Sequence, residues 1–123
     1  MTEKNSKALM ELIVKAGDDR LGEDIVALDV RNLTTIADYF VLMNGRNQRQ
    51  VKALVDAIDE AITKNGYPLK GIEGKSGHDW ILLDANDVIV HIFTEEAREL
   101  FNLEKLWNDA PLVNVSAILE DEA

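Results

Sequence analysis

The chain has 123 residues, with 13 Lys and Arg against 23 Asp and Glu, so its formal net charge at pH 7 is −10. This length fits one domain, which can bury enough surface to fold without a disulfide or a metal. The sequence contains no cysteine, which excludes disulfides, thiolate metal sites and thiol nucleophiles. Such an acidic surface repels phosphate backbones, so direct binding of DNA or RNA is not expected, whereas a basic protein partner is compatible with it.

Membrane insertion and secretion are not expected either. No apolar run approaches the roughly 20 residues that span a bilayer, and Met1–Met10 lacks the apolar segment of a secretory signal. The sequence therefore predicts a soluble, cytoplasmic protein.

The first half of the chain predicts a helix followed by two strands. The range Ser6–Ala16 has apolar residues at helical spacing, and Gly17 follows where a left-handed cap belongs. Asp24–Val30 and Asp38–Met43 are short and apolar on both alternating faces, as covered strands are. Because only turn residues separate these two strands, we expect them to be antiparallel neighbours.

A second helix is predicted after Asn44-Gly45. Asn47, followed by Gln50 three residues later, forms an amide variant of the capping box. The helix then carries one apolar stripe, made of Val51, Leu54, Val55, Ile58 and Ile62, and ends at Asn65-Gly66. This strand–Gly45–helix unit is a candidate for the start of a right-handed crossover.

The second half of the chain predicts strands and then a helix. Leu69–Glu73 is a candidate short edge strand, and Trp80–Asp84 with Val88–Phe93 reads as a β-hairpin. Glu95–Trp107 is helical, in one piece or in two pieces broken near Asn102, with Thr94 as its cap.

Order is expected to end at Pro111, so the predicted domain covers residues 1–113 and residues 114–123 form a loosely held acidic tail. The element order indicates a single α+β domain with a mixed β-sheet flanked by helices on at least one face.

Metal and phosphate sites have weak support. His78 and His91 are the two histidines, and a structural role for His91 in its strand is favoured over a ligand role. Gly74-Lys75-Ser76 resembles the end of a P-loop, but position 69 is leucine where the motif needs glycine. Gly71–Gly74 has the spacing of a KH loop, yet Glu73 within it opposes phosphate binding. No metal site and no cofactor are predicted.

Nucleotidyl transfer is the best enzymatic alternative. Asn44-Gly45-Arg46, between a strand and a helix, resembles the place where minimal nucleotidyltransferases carry Gly-Ser. Those enzymes also need two carboxylates on an adjacent strand to hold metal ions. The predicted strands carry no such pair, since Asp56, Asp59 and Glu60 lie on the helix. We therefore expect no catalytic residues.

The remaining class of function is recognition of a partner through the protein surface. Trp80 and Leu82 point to one face of the predicted sheet, and Ile81 and Leu83 point to the other. Either helices cover both faces, or the face with Trp80 is an exposed apolar patch of the kind that marks binding surfaces.

Several blocks resemble the ribosomal silencing factor (RsfS, Iojap-like) family. The resemblance extends from about Leu9 to Pro111, and its blocks are Asp29, Ala37–Val41, Gln50-Val51, Glu73-Gly74, Trp80–Asp84, Val90–Phe93, Arg98 and Leu103–Trp107. It implies a fold related to nucleotidyltransferases without catalysis, and a homodimer. It also implies binding to the large ribosomal subunit through ribosomal protein fourteen, which blocks joining of the small subunit and lowers translation when nutrients are short.

The family's contact surface implies a role for Trp80 and for the hairpin at Asp84-Ala85. From strand alternation and nearness to the turn we add Glu73, Leu82, Asn86 and His91 as candidate protein-binding residues. The sequence departs from many members of this family, which have Ser or Thr near Asn44 and Ser near Asn47, whereas here Arg46 lies between two asparagines.

Overall fold

A computed structural model describes residues 2–75 and 79–120 of the chain. Within these ranges the helices are α1 (Thr2–Asp19), α2 (Gln48–Lys64), α3 (Glu95–Phe101), α4 (Leu103–Leu106) and α5 (Val115–Glu120). The strands are β1 (Glu23–Asp29), β2 (Tyr39–Gly45), β3 (Gly71–Lys75), β4 (Trp80–Asp84) and β5 (Val88–Thr94). None of the described helices is long and apolar enough to cross a membrane.

The five strands form one mixed sheet in the order β1-β2-β5-β4-β3. The pairs β1–β2, β4–β5 and β3–β4 are antiparallel, which confirms the predicted neighbours and the predicted hairpin. Strands β2 and β5 pair in parallel, so α2, β3 and β4 together form the crossover between them. The edge strand β3 begins at Gly71, two residues later than the predicted Leu69.

The two faces of the sheet pack against different layers. Helices α1 and α2 cover one face, here called the helix face, with side chains such as Ile13 and Ile58 over Val41, Leu83 and Ile92. The predicted stripe of α2 is buried in this layer. The opposite face, here called the aromatic face, carries Phe40, Trp80, His91 and Phe93, under α3, α4 and the segment that follows α4. Both faces are therefore covered, but the second cover is incomplete.

Helix α1 continues beyond Gly17, so the predicted cap at this glycine is wrong. The left-handed residue is Leu21, with φ of 64°, and the N–H of Gly22 donates to the carbonyl oxygen of Gly17 at 2.8 Å. Gly17 instead leaves room for Met43, since a Cβ atom at position 17 would lie 2.6 Å from Cε of Met43 and that side chain would have to shift.

The caps of α2 and α3 form largely as expected. Asn47 accepts a hydrogen bond from the N–H of Gln50 at 2.9 Å. The side chain of Gln50 does not complete the capping box but donates to the carbonyl oxygen of Arg20. Thr94 caps α3, and Asn102, with φ of 46°, separates α3 from α4, which confirms the predicted break.

The C-terminal segment is ordered further than the sequence indicated. The N–H of Val113 donates to Ala27 at 2.9 Å, and Leu28 forms a bridge with Leu112 along the outer edge of β1. Helix α5 then packs against α1 with Ile118 buried. The prediction that ordered structure ends at Pro111 and that the tail is loosely held is therefore wrong as far as Glu120. Residues 121–123 lie outside the described residues.

Replacing Leu21 by glycine should stabilise the protein. A leucine in the left-handed region costs about 1–2 kcal/mol. Glycine avoids this cost, but it loses more backbone entropy on folding, which offsets part of the gain. We expect Leu21→Gly to raise the free energy of unfolding in urea by about 1 kcal/mol. Leu33→Gly is the matched control, because Leu33 is also exposed but has a negative φ; it should lower stability. Equal effects of the two variants would contradict the assignment of strain to Leu21.

Candidate functional site

Trp80 lies at the centre of an aromatic cluster on the aromatic face. Its ring centroid is 5.2 Å from that of Phe93, in a stacked arrangement, and 4.7 Å from that of Phe101 on α3. Its indole Nε1–H donates a hydrogen bond to Nδ1 of His91 at 3.1 Å. The indole is half-buried.

His91 has a structural position, as its place in the strand predicted. It is 7% exposed and packs edge-on against Phe40 at a centroid distance of 5.8 Å. Because it accepts the hydrogen bond from Trp80, it fixes the orientation of the indole. Its imidazole therefore supports the surface from below rather than forming much of it.

Three of the predicted site residues form one row across the sheet. Glu73 on β3 is paired with Leu82 on β4, which is paired with His91 on β5. Side chains at paired positions share a face, so all three lie on the aromatic face with Trp80. Glu73 is exposed and Leu82 is half-buried, which gives this row an open end at β3.

The hairpin turn lies at the other end of β4 from Trp80. Asp84 accepts a hydrogen bond from the backbone N–H of Asn86 at 2.9 Å, and Asn86 has a φ of 71°. Ala85 is 1% exposed and belongs to the core of the helix face. Its side chain is therefore buried away from the aromatic face, and the contact role of Ala85 stays a prediction that only its backbone can fulfil.

The sequence analysis missed an apolar ridge on α3 and α4. Leu100 and Leu106 are 78% and 73% exposed, and Phe101, partly exposed beside them, contacts Trp80. We call Leu100, Phe101 and Leu106 the leucine ridge. Asn102, in the left-handed conformation, separates α3, which carries Leu100 and Phe101, from α4, which carries Leu106. The available sequence signal was the adjacent apolar pair Leu100-Phe101 just before the predicted break at Asn102.

Arg98 holds α3 and α4 against the sheet. Its side chain is 10% exposed and donates two hydrogen bonds to Glu104, at 3.1 and 3.2 Å, across the Asn102 break. It also donates to Oδ1 of Asn44 on β2 at 2.8 Å and to the carbonyl oxygen of Asp24 on β1 at 2.6 Å. One guanidinium therefore connects two short helices to two strands.

A cavity of about 670 Å³ opens beside Arg98. Four carboxylates from Asp24, Glu95, Glu99 and Glu104 line it, together with Asn44 and Asn102. Asn44 occupies the strand end where the resemblance to nucleotidyltransferases was noted, and its amide is used by Arg98 and by Glu23. This acidic lining is unfavourable for a triphosphate.

The other chemical motifs lie in regular structure or outside the described residues. Gly71–Lys75 is a strand and not a loop, whereas Ser76 and His78 lie outside the described residues. Asp56 is exposed on α2 and pairs with Lys52 at 3.7 Å. Among residues 2–75 and 79–120 no three His, Asp or Glu side chains are grouped in a way that could hold a metal.

Comparisons with known proteins identify the family. Residues 3–123 match the family described as "Ribosomal silencing factor during starvation". The chain belongs to the ribosomal silencing factor family. It is 40% identical over 111 residues to "Ribosomal silencing factor RsfS" of Bacillus subtilis, which covers 90% of this chain and 94% of that protein.

More distant similarities agree with this family assignment. A solved structure of a protein from Chromobacterium violaceum superposes with a TM-score of 0.81 at 32% identity, covering 84% of this chain and 86% of the other. A mouse protein named "Mitochondrial assembly of ribosomal large subunit protein 1" is 29% identical over 101 residues, covering 80% of this chain and 44% of the mouse protein. The family and the α+β fold predicted from the sequence are confirmed.

An ion pair between Arg31 and Asp29 lies at the hairpin end of the sheet. Arg31 donates to both carboxylate oxygens of Asp29, at 2.9 and 2.6 Å. These hydrogen bonds lower the pKa of Asp29 below its ordinary value of 3.8, and they raise the pKa of Arg31. Burial raises the pKa of Tyr39, whose ring lies 5.4 Å from the guanidinium carbon of Arg31.

We expect Arg98→Met to lower the free energy of unfolding by about 2 kcal/mol, because it leaves Glu104 and Asn44 without their shared donor. Arg46→Met is the matched control, since Arg46 and Glu23 are 3.9 Å apart and both exposed; it should cost less than about 1 kcal/mol. Urea unfolding measures both. Tryptophan fluorescence of the folded proteins, recorded with Trp107 replaced by phenylalanine so that Trp80 is the one remaining tryptophan, reports whether Phe101 leaves Trp80, which we expect only in Arg98→Met.

The Asp29–Arg31 pair predicts a pH effect. Because the folded state lowers the pKa of Asp29, the pair contributes stability above pH 3.8, and this is lost as the pH falls through the lowered value. We expect Arg31→Met to raise the pKa of Asp29 in a carbon-detected NMR titration and to make unfolding less sensitive to pH in this acid range. The control Arg20→Met should leave the titration of Asp29 unchanged. A titration of Asp29 that is the same in Arg31→Met and in the parent protein would exclude the pair as the cause.

Proposed function

We propose that this protein binds the large ribosomal subunit through ribosomal protein fourteen and blocks joining of the small subunit, which represses translation when nutrients are limited. The observation that carries the proposal is the match of residues 3–123 to a family described as silencing ribosomes during starvation. The name of the mouse relative, which refers to assembly of the large ribosomal subunit, favours the same particle.

The aromatic face offers a suitable contact surface. Trp80 is half-buried and rigidly held by His91 and Phe93, and buried aromatic anchors carry much of the energy of protein interfaces. The leucine ridge beside it exposes apolar side chains that a partner could cover. Leu82 extends this apolar surface, and Glu73 lies at its polar rim.

Charge supports a basic partner. The net charge of −10 favours encounter with a basic protein surface and opposes binding to exposed rRNA. Asp84 and Asn86, at the hairpin end of the sheet, are candidates for polar contacts away from the aromatic centre. The proposal includes a homodimer, as the resemblance implies, and a location in the cytoplasm, as the sequence predicts.

The mechanism is competitive occlusion, in which no covalent bond is made or broken. A protein that occupies the joining surface at 100 times its dissociation constant disfavours joining by about 2.7 kcal/mol. The protein therefore acts as a regulator without enzymatic activity, and the alternative is a nucleotide-binding or nucleotidyltransferase-like enzyme.

Trp80→Ala should weaken binding to the large subunit about thirtyfold, since loss of a central aromatic anchor commonly costs about 2 kcal/mol. Co-sedimentation with separated large subunits, small subunits and joined ribosomes measures this. We expect the parent protein to bind the large subunit and to reduce the fraction of joined ribosomes.

Two controls separate lost binding from lost folding. Leu83→Ala removes a core side chain from the opposite face of β4 and should lower stability while binding is retained. The double variant Leu100→Ser, Leu106→Ser changes exposed residues only, so it should stay folded and bind more weakly. Unchanged affinity of both aromatic-face variants would remove this surface from the site. No binding to any particle, with a melting temperature raised by nucleotide and Mg²⁺, would favour the enzymatic alternative.

A further inference from the structure

The two edges of the sheet are covered differently. The outer edge of β1 is occupied by the segment after α4, through the hydrogen bonds of Asp29 to Pro111 and of Val113 to Ala27, both at 2.9 Å. On the opposite edge, β3 pairs with β4 on one side, and among residues 2–75 and 79–120 no strand pairs with its other side. An uncovered edge presents backbone donors and acceptors to which another extended chain can pair.

A groove of about 440 Å³ runs beside this open edge on the helix face. Its floor is apolar and consists of Val55, Ile72 and Ile81. Ile72 is 44% exposed although it belongs to a strand of the sheet. Gly74, two residues further along β3, contributes no side chain. The groove therefore has room for one row of side chains from a strand added next to β3.

The rim of the groove is basic in an otherwise acidic protein. Arg49 and Lys52 on α2 overhang the floor, with Gln48 and Asp56. Lys52 pairs with Asp56 at 3.7 Å, but both side chains are largely exposed, and such pairs exchange readily. Within the described part of the chain Arg49 has no ion-pair partner. The groove thus combines positive charge with apolar surface, where the whole chain carries −10.

We propose that the open edge of β3 binds an extended acidic segment of a partner protein, which adds a strand to the sheet. Apolar side chains of this segment contact Ile72, and flanking carboxylates pair with Arg49 and Lys52. This surface is separate from the aromatic face, so the proposal does not depend on ribosome binding.

The test uses a peptide whose alternate residues match the groove. In Thr-Glu-Thr-Val-Thr-Glu-Thr, one face of the extended peptide presents Glu, Val and Glu, and the other presents threonines that favour strands. It is titrated into isotope-labelled full-length protein, and amide NMR shifts and hydrogen exchange are recorded. We expect saturable shifts in Gly71–Gly74 and on α2 near Arg49, with slower amide exchange in β3 and unchanged exchange in β1.

Charge reversal in the groove tests the electrostatic part. The double variant Arg49→Glu, Lys52→Glu should weaken peptide binding about tenfold or more. Arg46→Glu is the matched control, because Arg46 is exposed just before α2 but does not line the groove; its effect should be less than about twofold. Ile72→Ala, at a half-exposed position, should weaken binding without unfolding the protein.

Several results would overturn the proposal. These are no saturable shifts up to about 1 mM peptide, shifts located away from β3, or equal binding of the charge-reversed peptide Thr-Lys-Thr-Val-Thr-Lys-Thr. Tighter binding of a single-stranded oligouridylate, lost in the Arg49→Glu, Lys52→Glu variant, would assign the basic rim to RNA instead. Loss of ribosome binding in Trp80→Ala leaves the peptide result unaffected, so the two proposals fail independently.

Discussion

The parallel pairing of β2 with β5 determines where the other elements lie. Because the two strands run in the same direction, their carboxyl ends meet at Gly45 and Thr94, which are paired in the sheet. Helix α2 leaves from one of these ends to the helix face, and α3 leaves from the other to the aromatic face. The local cap residues Asn47 and Thr94 start both helices next to this edge. The two layers of the protein therefore diverge from one pair of adjacent strand ends.

Arg98 makes the second layer possible. Helices α3 and α4 have seven and four residues, too short to be stable alone, and α4 has no buried residue. The nearly buried guanidinium compensates by binding Glu104, Asn44 and a backbone carbonyl of β1. With α3 held in this position, Phe101 stays against Trp80 and the leucine ridge stays next to it. The candidate contact surface thus depends on a polar interaction beneath it.

The fold presents two different surfaces on one small sheet. The aromatic face is apolar with a rigid tryptophan, and the acidic cavity around Arg98 lies beside it. The outer edge of β3 has a basic rim, and among residues 2–75 and 79–120 no strand pairs with it. Since the covered edge of β1 is closed by the chain itself, the sheet is asymmetric in what it can bind. The two partners proposed above would therefore bind to different parts of the sheet, one across the face and one along the edge.

The sequence by itself determined those features whose causes are local. Apolar residues on both faces indicated the strands β1 and β2, the stripe from Val51 to Ile62 indicated α2, and Thr94 and Asn102 marked the start and the break of the last long helical region. Each of these follows from neighbours within about one or two helical turns. The family also followed from short blocks in the sequence.

Only the tertiary structure decided the features that join distant parts of the chain. Gly17 was expected to cap α1, but Met43 on β2 occupies the space beside it. The C-terminal segment was expected to be loose, but β1 supplies its hydrogen-bond partners. Arg98 finds Asn44 and Asp24 more than fifty residues away, and the exposure of Trp80 depends on where α3 packs. Periodicity describes which side chains share a face, but contacts between remote elements decide how much of that face remains open.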